Sequence, residues 1–189
     1  VHLELTRILH PGDIAIDATA GNGHDTLAMA KLVGPTGKVI ATDLQSEAIQ
    51  STRACLDKAG QLQQCELIEG NHAEVLTKLE GRHRERVAAI TFNLGYLPGS
   101  TKEVTTQPES TLQALGAAAS LLRPGAMLLL VAYRGHSGGR EEADRVAAWM
   151  RTLPVSDWRV EVREPPARDP LRIPPILWVA RKAARPGED

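Results

Sequence analysis

The stretch Asp17-Ala18-Thr19-Ala20-Gly21-Asn22-Gly23-His24-Asp25-Thr26 restricts the possible architectures most sharply, because it joins an apolar run to a helical one through a glycine turn bracketed by carboxylates. Asp13-Ile14-Ala15-Ile16-Asp17 reads as a buried strand, and the apolar spacing over 26–33 is helical until Gly34-Pro35 stops it. Gly21 and Gly23 allow the positive φ angles of a tight turn and let the backbone come close to a ligand. A strand, a glycine turn and a helix in that order predict a cofactor loop at the carboxyl edge of a parallel sheet.

The charges on the loop narrow the ligand. A dinucleotide loop needs a third glycine for close helix–strand packing and sets a pyrophosphate on the helix N-terminus. Here His24-Asp25-Thr26 stands where that glycine belongs, and Asp17 and Asp25 put negative charge beside the phosphates. S-adenosylmethionine carries a sulfonium, an ammonium and a carboxylate but no phosphate, so an acidic glycine turn suits it better. On the loop alone, an ordinary β-turn-α connection is the competing reading. Gly37-Lys38-Val39-Ile40-Ala41-Thr42-Asp43 adds a second strand that ends in a carboxylate twenty residues beyond Gly23. An acid there is placed to accept both ribose hydroxyl protons of an adenosine, which makes Asp43 the expected ribose ligand. Asp43 also resembles the N-cap of the next helix, a role Ser46 can take instead, and both roles can hold at once.

With 189 residues, 42% apolar and 24% charged, the chain can bury one substantial core, which predicts a single domain over 1–189. No apolar run is long enough to cross a membrane and no secretory pattern precedes the first strand, so a cytoplasmic protein with no membrane partner is expected. Cys55 and Cys65 lie ten positions apart without CxxC or histidine spacing, which predicts a buried thiol pair rather than a zinc site or a disulfide.

Strand and helix signals alternate along the rest of the chain. Helices are predicted over 1–9, 24–33, 46–59, 72–79, 109–122 and 139–151, and strands over 14–17, 38–43, 66–69, 87–93 and 127–133. Arg123-Pro124-Gly125 is the stop of the fifth helix. The runs 158–162 and 176–181 follow without a helix between them and read as an antiparallel edge pair, joined by a proline-rich surface loop over 165–175. The predicted fold is α/β: a Rossmann-like, seven-stranded, mostly parallel sheet with an antiparallel C-terminal edge hairpin and helices on both faces. Ligands in such sheets bind beyond the carboxyl ends of the strands. That rule gathers Asp17, Asp43, Asn71-His72, Asn93-Leu94-Gly95-Tyr96 and Tyr133-Arg134-Gly135-His136 on one rim.

The end of the fourth strand carries the chemical signal. Methyl transfer to an amine needs the nitrogen neutral and its lone pair aimed in line at the sulfonium methyl, so acceptors must hold the N–H groups aside. An Asn side-chain oxygen and the following backbone carbonyl do this, and Asn93-Leu94-Gly95-Tyr96 is similar to the Asn-Pro-Pro-Tyr tetrad of amino-methyltransferases. Tyr96 offers a ring on which a planar base would gain about 1–3 kcal/mol by stacking. A strand-to-loop turn with a packing tyrosine is the competing reading. Cysteine attack on a pyrimidine ring has no nucleophile here, since neither Cys55 nor Cys65 falls at a strand end on the rim.

The chain resembles the small bacterial methyltransferase family long labelled rRNA methylases, whose better-defined members are the tRNA wobble-uridine enzymes of the MnmM type. The resemblance is carried by the Asp17–Thr26 loop, by Phe92-Asn93-Leu94-Gly95-Tyr96-Leu97-Pro98-Gly99, and by Tyr133-Arg134-Gly135-His136-Ser137-Gly138-Gly139 followed by Glu141-Glu142. Pro174-Pro175 before the last strand also matches. The resemblance implies a class I methyltransferase fold and N-methylation of the aminomethyl group of 5-aminomethyl-2-thiouridine at tRNA position 34, converting S-adenosyl-L-methionine to S-adenosyl-L-homocysteine. It implies cofactor contacts from Asp17, Thr19, Gly21, Asn22, Gly23, His24, Asp25, Thr26, Asp43, Leu44, Asn71, His72 and Asn93. It also implies catalytic roles for Asn93, Tyr96 and His136, and substrate contacts from Leu94, Gly95, Tyr96, Lys102, Tyr133, Arg134 and His136. No metal is needed, because the sulfonium is already an activated leaving group.

Two segments depart from the family pattern. Gly99-Ser100-Thr101-Lys102 stands where Gly-Gly-Asp-Lys is usual, and Arg134-Gly135-His136-Ser137 where Pro-Gly-His-Pro is common. Lys102 and His136 survive. His136 is the rim side chain whose ordinary pKa suits proton acceptance, the alternative being a loop histidine that only bonds backbone. The runner-up functions are methylation of rRNA or of a small-molecule amine, and a catalytically silent S-adenosylmethionine-binding protein.

RNA binding has weaker support. A net charge of -1 gives no global pull toward phosphates. A local basic rim is expected from Arg134 and Arg140 beside the pocket and from Arg163, Arg168, Arg172, Arg181, Lys182 and Arg185 in the tail, with a tRNA anticodon loop as partner. Arg82, Arg84 and Arg86 precede the fourth strand and read as solvated surface. The tail is equally available for a homodimer contact.

Overall fold

The computed structural model describes residues 1–95, 106–165 and 173–185; Tyr96, Ser100, Lys102, Arg168 and Arg172 lie outside the described residues. The elements run α1 (His2–Ile8), β1 (Ile14–Asp17), α2 (His24–Val33), β2 (Lys38–Asp43), α3 (Ser46–Lys58), β3 (Cys65–Glu69) and α4 (His72–His83). They continue with β4 (Val87–Leu94), α5 (Pro108–Leu121), β5 (Leu122–Ala132), α6 (Gly139–Thr152), β6 (Trp158–Arg163) and β7 (Ile176–Lys182). One seven-stranded sheet has the order β3-β2-β1-β4-β5-β7-β6. Its first five strands pair in parallel, whereas β7 enters antiparallel between β5 and β6. The order reverses at β1, and in such sheets the reversal opens a crevice beyond the strand ends.

Alternation along the strands divides the core. Ala15, Val39, Ala89 and Leu129 pack with Leu5 of α1, Met29 and Val33 of α2 and Leu56 of α3. Their neighbours Ile16, Ile40, Ile90 and Leu128 pack with Leu76 of α4, Leu115 of α5 and Val146 of α6 on the other face. Since side chains alternate with a period of two, Asp17, Asp43 and Asn93 share the α1–α3 side. The glycine loop lies on that side, so parity alone delivers the three polar groups to it.

The expected fold is present, with local corrections. Helix α4 runs past Gly81 to His83, because packing along α5 outweighs the penalty of about 1 kcal/mol for a mid-helix glycine. Helix α5 passes into β5 at Leu122, so the predicted stop at Arg123-Pro124-Gly125 lies inside the strand. Val87 faces Leu122 and Ala89 faces Met127, which leaves the intervening residues of β5 bulged and tolerant of Pro124, a residue with no ladder N–H to give. Strand β5 ends at Ala132, and Tyr133 lies beyond it. Among the described residues no helix is long and apolar enough to cross a membrane.

The basic tail proves largely structural. The buried Glu4 of α1 accepts hydrogen bonds from Arg163 (2.8 Å) and Arg7 (2.9 Å) on Oε1 and from Arg181 (2.7 Å) on Oε2. These arginines, Arg163 first, hold its carboxyl below the usual range. Lys182 Nζ donates to the carbonyls of Leu122 (2.8 Å) and Ala119 (3.1 Å) at the end of α5, where a cation meets the negative end of the helix. Arg185 pairs with Glu85 at 2.7 Å, and Arg134 pairs with Glu164 and donates to the Pro174 carbonyl. Arg163, Arg181, Lys182 and Arg185 thus make intramolecular bonds, with Arg163, Arg181 and Arg185 still partly exposed, and Arg140 is exposed.

Replacing Glu4 by alanine is expected to remove about 2 kcal/mol of stability in urea unfolding near neutral pH, the low end for a buried pair because both tail arginines keep solvent contact. Since its folded-state pKa is depressed, that deficit is full above its ordinary value and shrinks as the pH falls through the folded-state value.

Candidate active site

The glycine loop is built around two carboxylates. Asp17 is fully buried, accepting from Thr26 Oγ1 at 2.6 Å and from the Thr19 amide and Thr91 Oγ1 at 3.3 Å each. Burial, reinforced by the charge of Asp25, pushes its pKa up to about 7 against those hydrogen bonds. Asp43 accepts the Gly21 amide on Oδ2 (3.0 Å) and the Gln45 amide on Oδ1 (3.1 Å), holding the turn against β2. The N-cap of α3 is Gln45, with no side-chain cap, so neither Asp43 nor Ser46 takes that place.

The two glycines serve different neighbours. Gly21 (φ 53°) lines the cavity. Gly23 (φ 82°) instead faces α3, where an added Cβ would lie 2.9 Å from Thr52 Cα and 3.3 Å from Cys55 Cβ. Thr52 Oγ1 then donates to the Gly21 carbonyl at 3.1 Å. Cys55 and Cys65 are free and half-buried rather than a buried pair, and burial raises the Cys65 thiol to about 11.

Thr19, Ala20, Gly21, Asn22, His24, Asp25, Asn93 and Tyr133 line a cavity of about 340 Å³. Within it Asn93 Nδ2 donates to Asp25 Oδ2 at 2.8 Å, and the Asn93 amide N–H donates to Thr19 Oγ1 at 2.6 Å. An ionised carboxylate only accepts, so Asp25 fixes which way the Asn93 amide points and reserves Oδ1 for a different donor. The other oxygen of Asp25 meets His2 Nε2 of α1 at 2.6 Å.

Tyr133 is half-exposed on the cavity wall, and its amide donates to the Leu94 carbonyl at 3.1 Å. That bond uses one lone pair of the second acceptor expected for the amine and leaves the other. His136 does not line the cavity; it packs beside Gly95 and Gly139, where added Cβ atoms would lie 3.5 and 2.7 Å from its Nε2. Its Nδ1 lies 2.9 Å from the Ser137 carbonyl, which only accepts, so Nδ1 carries the proton and Nε2 the lone pair of the neutral ring.

Several expected contacts are placed elsewhere. Leu94 is buried on the opposite face of the sheet. His72 is buried there too, edge-on to Phe92 with centroids 5.8 Å apart, and burial drives its pKa down to about 4. Asn71 caps α4 by accepting from the Ala73 amide at 2.9 Å. Thr26 is buried on Asp17, while Leu44 is exposed beside Asp43. Sequence reading missed His2 and named Glu142 only within a motif, without a role. His2 carries no local signal, since its partner lies in another helix. Glu142, buried in α6, accepts from Thr106 Oγ1 (2.6 Å) and Thr111 Oγ1 (2.7 Å), and the Thr106 amide donates to the Gly95 carbonyl at 3.0 Å. Among the described residues no group of three or more His, Cys, Asp or Glu is placed to hold a metal ion.

The sequence profile of the family described as "Putative rRNA methylase" matches residues 39–179. The chain belongs to that family. A tRNA (mnm(5)s(2)U34)-methyltransferase, chloroplastic, of Arabidopsis thaliana is 43% identical over 168 residues, covering 83% of this chain and 60% of that protein. The chain therefore spans about 60% of that relative's length. An rRNA methylase of the same description from Clostridium thermocellum superposes with a TM-score of 0.88 at 32% identity, covering 96% of this chain and 94% of that one. A Streptococcus mutans chain described as a "putative methyltransferase", solved in complex with SAH, superposes at 0.82 with 32% identity and the same coverages. With the observed strand order, these likenesses give this rRNA methylase family member the class I methyltransferase fold.

The buried Asp17 makes a testable demand. A carboxyl whose pKa is raised on folding stabilises most below its unfolded value and loses that contribution as the pH climbs to about 7. Asp17→Asn, neutral at every pH, is expected to gain melting temperature over the native chain between about pH 5 and about pH 8, by roughly 5 °C. A difference independent of pH in scanning fluorimetry would reject the buried charge.

Proposed function

We propose that this chain methylates the primary amine of 5-aminomethyl-2-thiouridine at tRNA wobble position 34, with S-adenosylmethionine as donor. The cavity fits that donor by its chemistry: the carboxylate of Asp25 and the glycine-loop backbone frame it, and among the described residues its lining side chains include no lysine or arginine. When bound, S-adenosylmethionine supplies a methyl carbon on a sulfonium that leaves as a neutral thioether.

The remaining work falls to the chain. Asp43 already holds the loop through one amide on each oxygen, and each oxygen keeps a lone pair for a ribose hydroxyl. Leu44, exposed beside it, offers an apolar cover for the adenine. Asn93 carries the reading: Asp25 takes its N–H, so its Oδ1 accepts an N–H of the incoming amine and turns the nitrogen lone pair toward the methyl. Tyr133 forms the wall on which the base rests, with Tyr96 and Lys102 assigned to the same side by the family pattern. A proton must leave the amine; the family pattern assigns its acceptance to His136, whose imidazole packs beside Gly95 and Gly139 rather than on the cavity wall. The name of the Arabidopsis relative supports the choice of acceptor.

Asn93→Ala is expected to lower kcat on tRNA carrying the aminomethyl nucleoside by at least about 100-fold, with the Kd for S-adenosylhomocysteine within a few fold. Normal turnover would remove the amine-orienting role. The acceptor itself is tested by nucleoside mass spectrometry of tRNA from cells lacking the protein. The expected result is loss of the methylaminomethyl nucleoside and gain of its aminomethyl precursor; an unchanged profile would overturn the tRNA assignment.

A further inference from the structure

We propose that His2 of α1 is a positioning residue for the acceptor amine, acting through the carboxylate of Asp25 on the amide of Asn93. This rests on the amine-acceptor reading above. Asp25 has two oxygens and the structure uses both: Oδ1 meets His2 Nε2 at 2.6 Å and Oδ2 meets Asn93 Nδ2 at 2.8 Å. A carboxylate held on one side only can turn about its Cβ–Cγ bond, and the Asn93 amide follows it. Held on both sides, it locks the amide plane and with it the direction of Oδ1. His2 donates from Nε2 whether or not the ring is protonated, so the lock does not depend on its charge.

The helix that carries His2 is itself fixed. Two residues on, Glu4 is clamped by Arg163 and Arg181 from the β6–β7 hairpin, and Leu5 is buried in the core beneath α1. The clamp leaves α1 little freedom to slide, so the imidazole meets Asp25 from a rigid support rather than from a swinging end. The hairpin at the far edge of the sheet thereby reaches the reacting nitrogen through Glu4, His2, Asp25 and Asn93 in turn. This gives α1 a role beyond covering one face of the sheet.

The test is a steady-state comparison on tRNA bearing 5-aminomethyl-2-thiouridine, with S-adenosylhomocysteine binding followed by calorimetry. His2→Ala is expected to lower kcat about 10- to 100-fold, the loss that follows a misplaced reacting group, while the Kd stays within about threefold. His2→Gln, whose amide also donates, restores most of the rate, and Leu3→Ala, an exposed neighbour in the same turn, leaves it unchanged. In an Asn93→Ala background His2→Ala costs nothing further, because the two act on one nitrogen. Native kcat in His2→Ala, or losses that multiply in the double variant, would overturn the role of His2 alone. Full turnover in Asn93→Ala would instead remove the amine-acceptor reading, and this inference with it.

Discussion

One buried carboxylate organises the ligand edge of this sheet. Asp17, at the end of β1, accepts from Thr19 in the glycine loop, Thr26 in α2 and Thr91 in the neighbouring strand, and so draws three separate segments to one point. The hydroxyl of Thr19 passes the constraint on by accepting the backbone amide of Asn93 at 2.6 Å. An ionised group in such a place opposes folding unless its hydrogen bonds offset the lost hydration, and here they do so only in part, since its pKa stands near 7. A cationic donor bound in the adjoining cavity would favour the ionised form.

Much of this was legible in the chain. The alternation of apolar runs and glycine stops gave the element order, and the acids closing the first two strands gave the rim, because those signals are local. The misreadings came from tertiary competition. Gly23 looks like a ligand-approach glycine, but its missing Cβ makes room for Thr52 and Cys55 of α3. Asn71 looks like a cofactor contact, but its side chain is a helix cap, as Asn so often is. Leu94 follows a rim position yet alternates onto the opposite face, where His72 at the start of α4 packs edge-on to Phe92. The pairings of His2 with Asp25 and of Glu142 with Thr106 and Thr111 span distant segments, and no window of sequence contains both partners.

Charge tells a similar story about the tail. Counted along the sequence, its arginines and lysine suggest a surface for phosphates. In the folded chain Arg163 and Arg181 converge on a buried glutamate, Lys182 closes a helix end, and Arg134 ties the loop after β5 to Glu164 and Pro174. A cation already paired within its own protein contributes less to counterion release on meeting RNA than an unpaired one. With a net charge of -1, recognition would then lean on the shape of the loop and on the base itself.

That shift of weight onto the base returns the question to Asn93. The fold is shared with enzymes that methylate oxygen, among them a Klebsiella pneumoniae chain named as an O-methyltransferase and 16% identical to this one, so fold alone cannot choose the acceptor atom. The local donor and acceptor pattern bears on the proposed choice. An amine enters with N–H groups to give, and an amide oxygen whose nitrogen is already committed to Asp25 is a partner for them. A deprotonated oxygen nucleophile has only lone pairs to offer and would meet that same oxygen with repulsion. Holding the amide by its N–H side therefore leaves an acceptor oxygen free for a donor, which supports the amine proposed as substrate.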